Sequence, residues 1–239
     1  MLVSDTVYSR STFQAKAGVS VTSLLMQPNN CSHLLVLGHG AGAPLDHVHM
    51  NSICDALAAV GIATFRFNFP YMEKGGGRTD NLPTCLETID NAITQGRKVL
   101  AEISGSQTVI VKPSPTLLLG GHSFGGRMTS HYAAIHTDSV AGLVYFSFPL
   151  HPSKKPDTKR AMHLPDIRVP QLYLSGTRDS LAELNLLEPI IDKLKDAELA
   201  ILDTADHSFK ILKRTRVSQE SVYDEAARTL IAWISRHAL

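Results

Sequence analysis

The sequence predicts an α/β fold in which a mostly parallel central sheet is covered by helices on both faces. Short apolar segments alternate with longer amphipathic segments along the chain, and this alternation is typical of repeated β–α units. The chain has 239 residues, of which 44% are apolar and 19% are charged. This length and composition can bury one large core, so we expect a single domain spanning residues 1–239.

The predicted strands are short and rich in apolar or β-branched residues. They lie at 20–28, 33–40, 62–70, 116–121, 141–149 and 169–179, with one more inside 197–207. The predicted helices carry apolar residues at helical spacing. They cover 47–61, 85–104, the segment after Phe124, and 223–238. The order of these segments along the chain favours parallel pairing of most strands.

Residues 116–128, TLLLGGHSFGGRM, place a serine between glycines where a predicted strand gives way to a predicted helix. The pattern G-x-S-x-G at 121–125 matches a nucleophile elbow, in which flanking side chains would clash with the strand and the helix. A phosphate-binding loop is the competing interpretation, and Gly126 is in register for it. Arg127 and Met128 stand where that loop requires a lysine and a hydroxyl. The elbow is therefore favoured.

A serine nucleophile needs a base, and the base needs a partner that fixes its tautomer. In this layout the chain order is serine, acid, histidine. Asp179 follows the second predicted strand after Ser123, and His207 follows the next one. All three lie at the carboxyl ends of predicted parallel strands, where reactive groups collect. Asp203 is an alternative acid, whereas Asp206 is disfavoured because it adjoins the histidine.

Backbone amides are the expected donors to a developing oxyanion. One should be the amide of Phe124, directly after the serine. The second should come from the loop GHGAGAP at 38–44, where small residues let the backbone approach a substrate. We expect this donor to be Ala41, with Gly42 as the alternative. His39, in the same loop, is expected to be a structural hydrogen-bonding residue.

Three residues are candidates for lining a substrate pocket, namely Gly42, Tyr71 and Phe148. A core position is the alternative for the two rings. The three glycines at 75–77 are compatible with a mobile flap or with an ordinary surface loop.

The segment at 151–160, HPSKKPDTKR, carries four basic residues and one acid. It is either a solvated loop or a region in which Lys154, Lys155 or Arg160 attracts an anionic acyl group. The connection that contains it is short, so a large lid is not expected.

The chain resembles the α/β-hydrolase superfamily over nearly its whole length. The matching motifs are GHGAGAPLDH, FRFNFPYMEKG, GGHSFGGRM, SFPLHPSKKPDTKRAMHL, VPQLYLSGTRD and DHSFK. Within the superfamily it is similar to a dienelactone-hydrolase-like branch related to testis-expressed protein 30 and to subunit 3 of the NSL chromatin complex. This resemblance implies an α/β-hydrolase fold and a catalytic site at Ser123, Asp179 and His207.

The predicted function is that of a serine hydrolase that cleaves a small ester, thioester or amide through an acyl-enzyme. Neither a metal nor an organic cofactor is expected, and the expected partner is a small acyl substrate. A non-catalytic interaction module that retains the fold is the alternative. A nucleotide-binding protein is disfavoured by the mismatches in the glycine loop.

Charge and composition also bear on location. The net charge of +1 gives no reason to expect a nucleic-acid partner. No apolar run approaches the roughly 20 residues of a membrane span, so no membrane partner is expected. Residues 1–14 lack the basic and apolar regions of a secretory signal. The three cysteines show no C-x-x-C spacing, which favours a cytoplasmic protein.

Overall fold

The computed structural model describes residues 6–29, 31–106, 116–137 and 139–239. Across these ranges one sheet contains eight strands. The strands are β1 Thr6–Lys16, β2 Val19–Pro28, β3 His33–Gly38, β4 Ile62–Phe67, β5 Thr116–His122, β6 Leu143–Phe146, β7 Gln171–Gly176 and β8 Ala197–Leu202. The helices are α1 Val48–Ala59, α2 Pro70–Glu73, α3 Leu82–Ser106, α4 Phe124–Ile135, α5 Leu184–Ile191 and α6 Val222–His237.

The strand order in the sheet is β1-β2-β4-β3-β5-β6-β7-β8. Six adjacent strands of this sheet are parallel to one another, in the order β4, β3, β5, β6, β7 and β8. Strand β2 runs antiparallel to β4, and β1 runs antiparallel to β2 at the edge. The carboxyl ends of the parallel strands therefore meet at one edge of the sheet, and the predicted fold class is confirmed.

Two hydrophobic clusters lie on opposite faces of the sheet. Along β3, Leu34 and Val36 belong to the first cluster, whereas Leu35 and Leu37 belong to the second. This division follows from the alternation of side chains along a strand. Helices α3 and α4 cover the first cluster, and α1 and α6 cover the second. Helices on both faces explain why β3 is buried at every position.

The predicted strands and helices are all present, with ends that agree to within about three residues. The sequence did not predict β1, the short α2 or α5. Only Phe13 and Ala15 of β1 are buried, and residues 7–12 are all exposed, so both faces of this edge strand meet solvent over most of its length. Its pattern consequently lacks the apolar signal of the central strands. Helix α5 contains Pro189, a residue that argues against a helix when the sequence is considered alone.

The connection from β6 to β7 forms only two short 3₁₀ turns, Lys159–Ala161 and Leu164–Asp166. The expected minimal lid is therefore observed at this position. None of the helices within the described ranges is both long enough and apolar enough to cross a membrane.

Candidate active site

Ser123 stands between β5 and α4 with a strained backbone. Its φ of 50° and ψ of −113° are rare for a residue with a side chain. Such a conformation costs on the order of 1–3 kcal/mol and persists only where surrounding contacts impose it. The Ser123 amide donates to the carbonyl of Phe146 at 3.0 Å, and the Arg127 amide donates to the Ser123 carbonyl at 3.0 Å. These two bonds fix the serine at the end of its strand.

Gly121 and Gly125 allow this turn by close backbone approach. A Cβ atom on Gly121 would lie 2.4 Å from the backbone of Gly125 and of Gly126. A Cβ atom on Gly125 would lie 2.3 Å from the carbonyl oxygen of Gly38. Both distances are well inside van der Waals contact. The steric role that the sequence pattern predicts for these glycines is confirmed.

Asp179, His207 and Ser123 form a continuous chain of hydrogen bonds. Nε2 of His207 lies 2.7 Å from Oγ of Ser123. Nδ1 of His207 lies 2.9 and 2.8 Å from the two carboxylate oxygens of Asp179. A carboxylate only accepts hydrogen bonds, so Nδ1 carries the proton and Nε2 accepts from the serine hydroxyl. This is the tautomer in which the imidazole can take a proton from the serine.

The structure separates the candidate acids. The side chain of Asp179 is fully buried, and one of its oxygens also accepts the amide of Leu181 at 2.8 Å. Asp206 instead accepts the amides of Ser208 and Lys210 at 2.8 and 3.0 Å. The third candidate, Asp203, accepts the amide of Val217 at 3.4 Å. Of the three, only Asp179 is brought to the imidazole.

Two further histidines lie behind His207, and the sequence reasoning missed both. Nε2 of His122 donates to the carbonyl oxygen of His207 at 3.1 Å. The ring of His49 lies 4.4 Å from that of His122, and its Nδ1 contacts the hydroxyl of Tyr223 at 2.9 Å. Burial, reinforced by the neighbouring His49, lowers the pKa of His122 well below its usual value. Burial also lowers the pKa of His49 to about 4. Both rings are therefore neutral near pH 7.

The elbow motif leaves its second position unspecified, so nothing in the sequence distinguishes His122. His49 lies on a helix with no motif of its own. Within the described part of the chain, no group of three or more His, Cys, Asp and Glu side chains is arranged to hold a metal ion.

The loop after β3 flanks the serine. A methyl group on Gly40 would lie 3.9 Å from Cβ of Ser123. His39 holds this loop, since its Nδ1 donates to the Gly40 carbonyl at 2.7 Å and its Nε2 accepts the amide of Phe69 at 3.1 Å. Burial lowers the pKa of His39 to about 4, which keeps the ring neutral. The expected structural role of His39 is confirmed.

The two predicted oxyanion donors border this loop. The amide of Phe124 begins α4, and the amide of Ala41 belongs to the loop itself. Among the residues that the structure describes, neither amide donates a hydrogen bond to another protein group. The carbonyl of Ala41 accepts the hydroxyl of Tyr71 at 2.9 Å, which ties the loop to the start of α2.

The candidate pocket residues occupy different places. Tyr71 is buried against Phe124 and adjoins the loop through its hydroxyl. Gly42 is exposed, with no atom within 4 Å of the position that a Cβ would occupy. Phe148 lies in the first hydrophobic cluster and packs edge-on against Tyr145 and Tyr173. Phe148 therefore occupies a core position, which was the alternative to a position lining the pocket.

The segment that contains the three glycines is anchored to the sheet. Glu73 accepts the amide and the hydroxyl of Thr22 at 3.0 and 2.7 Å, and it accepts the side-chain amide of Asn68 at 2.9 Å. The glycines at 75–77 all have φ between 88° and 101°, which side chains rarely adopt. The predicted flap motion of this segment stays a prediction.

Comparison with known proteins assigns the chain to a family. The sequence model described as an alpha/beta hydrolase domain matches residues 31–235. The chain belongs to the α/β-hydrolase family. Residues 31–235 include every strand from β3 to β8, and they contain Ser123, Asp179 and His207.

Solved structures share this α/β-hydrolase fold at low sequence identity. A dienelactone hydrolase from Anabaena variabilis is 16% identical, with a TM-score of 0.72 and coverage of 97% of this chain and 98% of that one. An α/β serine hydrolase without a lid from Xanthomonas campestris is 16% identical, with a TM-score of 0.66 and coverage of 98% and 95%. Est1E from Butyrivibrio proteoclasticus is 14% identical, with a TM-score of 0.64 and coverage of 97% and 100%. At these identities the likeness concerns the fold alone.

Proposed function

We propose that this α/β hydrolase is a serine hydrolase that cleaves a small ester, thioester or amide through an acyl-enzyme. One observation carries the proposal, namely the hydrogen-bond chain from Asp179 through His207 to Ser123, with heavy-atom distances of 2.7–2.9 Å. A base whose nitrogen lies within hydrogen-bond distance of a serine hydroxyl can take the hydroxyl proton and so activate the nucleophile. The strained serine backbone supports the same role, because strain of this kind collects at functional sites.

In the proposed reaction, Oγ of Ser123 attacks the acyl carbonyl carbon while Nε2 of His207 takes the hydroxyl proton. Asp179 holds Nδ1–H and stabilises the imidazolium that forms. The tetrahedral intermediate collapses when the bond to the leaving group breaks and the imidazolium returns the proton to that group. A water molecule then attacks the acyl-enzyme, again with His207 as the base, and releases the carboxylic acid and the free serine.

The negative charge that develops on the carbonyl oxygen needs fixed donors. We assign this role to the amides of Phe124 and Ala41. Their lack of partners among the described protein groups supports the assignment. The closeness of the loop to the serine, with Ser123 Cβ 3.9 Å from the position a Cβ on Gly40 would take, and the anchoring of the loop by His39 support it further. Removing one such donor in related chemistry costs about 100-fold to 1000-fold in kcat.

The same proposal includes the branch of the superfamily, the size of the substrate and the cellular compartment. The motif SFPLHPSKKPDTKRAMHL supports membership of the dienelactone-hydrolase-like branch, whereas GGHSFGGRM is common to the superfamily. The short connection between β6 and β7 supports small substrates over long buried acyl chains. All three cysteines, Cys31, Cys54 and Cys85, are buried thiols, and this supports a reducing compartment such as the cytoplasm.

The test is covalent labelling with a fluorophosphonate probe. Wild-type protein should be labelled, and Ser123→Ala should abolish labelling while leaving the circular dichroism spectrum unchanged. Ser208→Ala is the matched control, because Ser208 adjoins His207 in sequence but is exposed. This control should be labelled like the wild type. A folded wild type that resists labelling would overturn the proposal in favour of a non-catalytic interaction module.

A further inference from the structure

Four basic side chains form a cluster beside the proposed nucleophile. Arg127 and His131 are four residues apart on α4, which places them on one face of that helix. Arg160 belongs to the 3₁₀ turn Lys159–Ala161, and His163 follows that turn. The rings of His131 and His163 stack with centroids 3.6 Å apart. Because His163 lies three residues after Arg160, the stacked rings place the turn that carries Arg160 beside α4. Burial, followed by the charge of Arg160, lowers the pKa of Arg127.

The cluster has no counter-charge of its own. Within the described residues, neither Arg127 nor Arg160 forms an ion pair with a carboxylate. Nε of Arg127 is buried without an acceptor. The nearby acid Asp157 pairs with Lys159 at 3.5 Å. Cys85 on α3 also faces Arg127, but burial raises the pKa of its thiol to about 12, so it is neutral. The buried Nε of Arg127 is the unusual feature, because buried polar groups are normally hydrogen-bonded.

The cluster lies next to the reaction site. Arg127 is four residues after Ser123, about 6 Å along the helix axis. Its guanidinium carbon is 5.9 Å from the centre of the Phe124 ring. That ring is 5.9 Å from the ring of Tyr71, whose hydroxyl holds the carbonyl of Ala41. Two aromatic rings, those of Phe124 and Tyr71, therefore lie between Arg127 and the proposed oxyanion loop.

We propose that Arg127 and Arg160 bind a phosphate monoester group of the substrate. This inference rests on the proposed function, because it names the class of ester that the same site accepts. A phosphate monoester carries about −1.5 to −2 charges near pH 7, which balances two guanidinium groups. Its three terminal oxygens fit the two planar forks of donors. The Ser130 hydroxyl donates to the Arg127 carbonyl and lies 2.7 Å from Nε2 of His163, so His163 can donate to the anion only through Nδ1 of a protonated ring.

Binding of the anion has a readout that does not require turnover. Without a ligand, burial, followed by the charges of His131 and Arg127, lowers the pKa of His163 to about 3. A bound phosphate would stabilise the imidazolium and raise the pKa of His131 and His163. Inorganic phosphate added to Ser123→Ala protein should therefore shift the ring resonances of these histidines in NMR spectra recorded near pH 6.

Two variants and one control test the site. Arg160→Gln lies in a surface turn and should weaken phosphate binding about 10-fold or more, as expected for loss of a charge-assisted hydrogen bond. Arg127→Lys keeps the charge but loses the planar fork, and it should weaken binding by a smaller factor. Lys155→Gln removes an exposed charge from the same basic segment, and its dissociation constant should stay within about twofold of wild type.

Kinetics with matched esters complete the test. The acetate ester of 2-hydroxyethyl phosphate should be hydrolysed with a higher kcat/KM than the neutral acetate ester of 2-methoxyethanol. Arg160→Gln should reduce this preference about 10-fold or more, chiefly through KM. Equal kcat/KM for the two esters, an unchanged preference in Arg160→Gln, or tighter binding of succinate than of phosphate would each overturn the inference. If Ser123→Ala binds phosphate but fluorophosphonate does not label the wild-type protein, the proposed hydrolase is overturned and the anion site is retained.

Discussion

Nε2 of His122 lies 3.1 Å from the carbonyl oxygen of His207, so the residue before the nucleophile holds the backbone of the residue that carries the base. The bond joins the end of β5 to the loop after β8. Because the pKa of His122 is lowered by burial, its ring stays neutral and has a single N–H to donate. His122 is therefore a positioning residue in the proposed reaction, since it acts through the backbone of His207.

His122→Phe keeps a planar ring but removes this donor. We expect kcat to fall about 3-fold to 10-fold, as loss of a neutral hydrogen bond of roughly 0.5–1.5 kcal/mol implies. His122→Gln places an amide N–H near the position of Nε2 and should restore most of the activity. Steady-state kinetics on 4-nitrophenyl acetate would measure both. Equal losses in the two variants would contradict a role for the hydrogen bond.

Asp179→Asn preserves the shape of the acid but removes its charge. We expect kcat to fall about 1000-fold to 10,000-fold, because an amide can hold the imidazole in the wrong tautomer. Asp206→Asn is the matched control, since Asp206 accepts two backbone amides near the same loop and an asparagine oxygen can replace it. Its kcat should stay within about threefold of wild type. A larger loss in Asp206→Asn than in Asp179→Asn would mean that the acid is misassigned.

The sheet and the three residues of the hydrogen-bond chain could be predicted because they carry strong local patterns. Central strands such as β3 are buried on both faces and are apolar at every position but the first and last. Ser123 lies in a motif whose glycines have a steric role. Asp179 and His207 each follow a strand, and parallel strands bring their carboxyl ends together.

Other features depend on tertiary contacts that no local pattern encodes. Strand β1 is mostly polar because residues 7–12, at the edge of the sheet, are exposed on both faces. The sequence left Asp203 as an alternative to the predicted acid Asp179, because the loop geometry decides which carboxylate reaches the imidazole. The hydrogen bond from His122 to His207 joins residues 85 positions apart. The stacking of His131 on His163 likewise joins α4 to the connection beyond the next strand.

Gly125→Ala should destabilise the protein severely. The added Cβ would lie 2.3 Å from the carbonyl oxygen of Gly38, and two backbone segments would have to separate. We expect a loss of about 2–4 kcal/mol in the free energy of unfolding, together with loss of fluorophosphonate labelling. Gly42→Ala is the control, since the space around its Cβ is open. Urea unfolding should give Gly42→Ala a stability within about 0.5 kcal/mol of wild type, and a similar stability for Gly125→Ala would refute the steric argument.

The buried neutral histidines predict a loss of stability in mild acid. Burial lowers the pKa of both His39 and His49 to about 4, against about 6.5 in the unfolded chain. Between these two values the unfolded state binds more protons than the folded state, so the free energy of unfolding rises with pH. The stabilisation is complete above about pH 6.5 and is lost progressively as the pH falls towards 4. Each histidine contributes roughly 3 kcal/mol to this change as an upper bound.

Urea unfolding at a series of pH values between 7.5 and 4.5 would measure the slope. His39→Gln identifies one contributor, because a glutamine oxygen can still accept the amide of Phe69 but the side chain takes up no proton on unfolding. The variant should therefore lose less stability than the wild type between pH 6.5 and 4.5, by an amount that corresponds to about one proton. An identical pH dependence in wild type and His39→Gln would show that this histidine is not neutral by burial, and the fixed tautomer assigned to it would have to be abandoned.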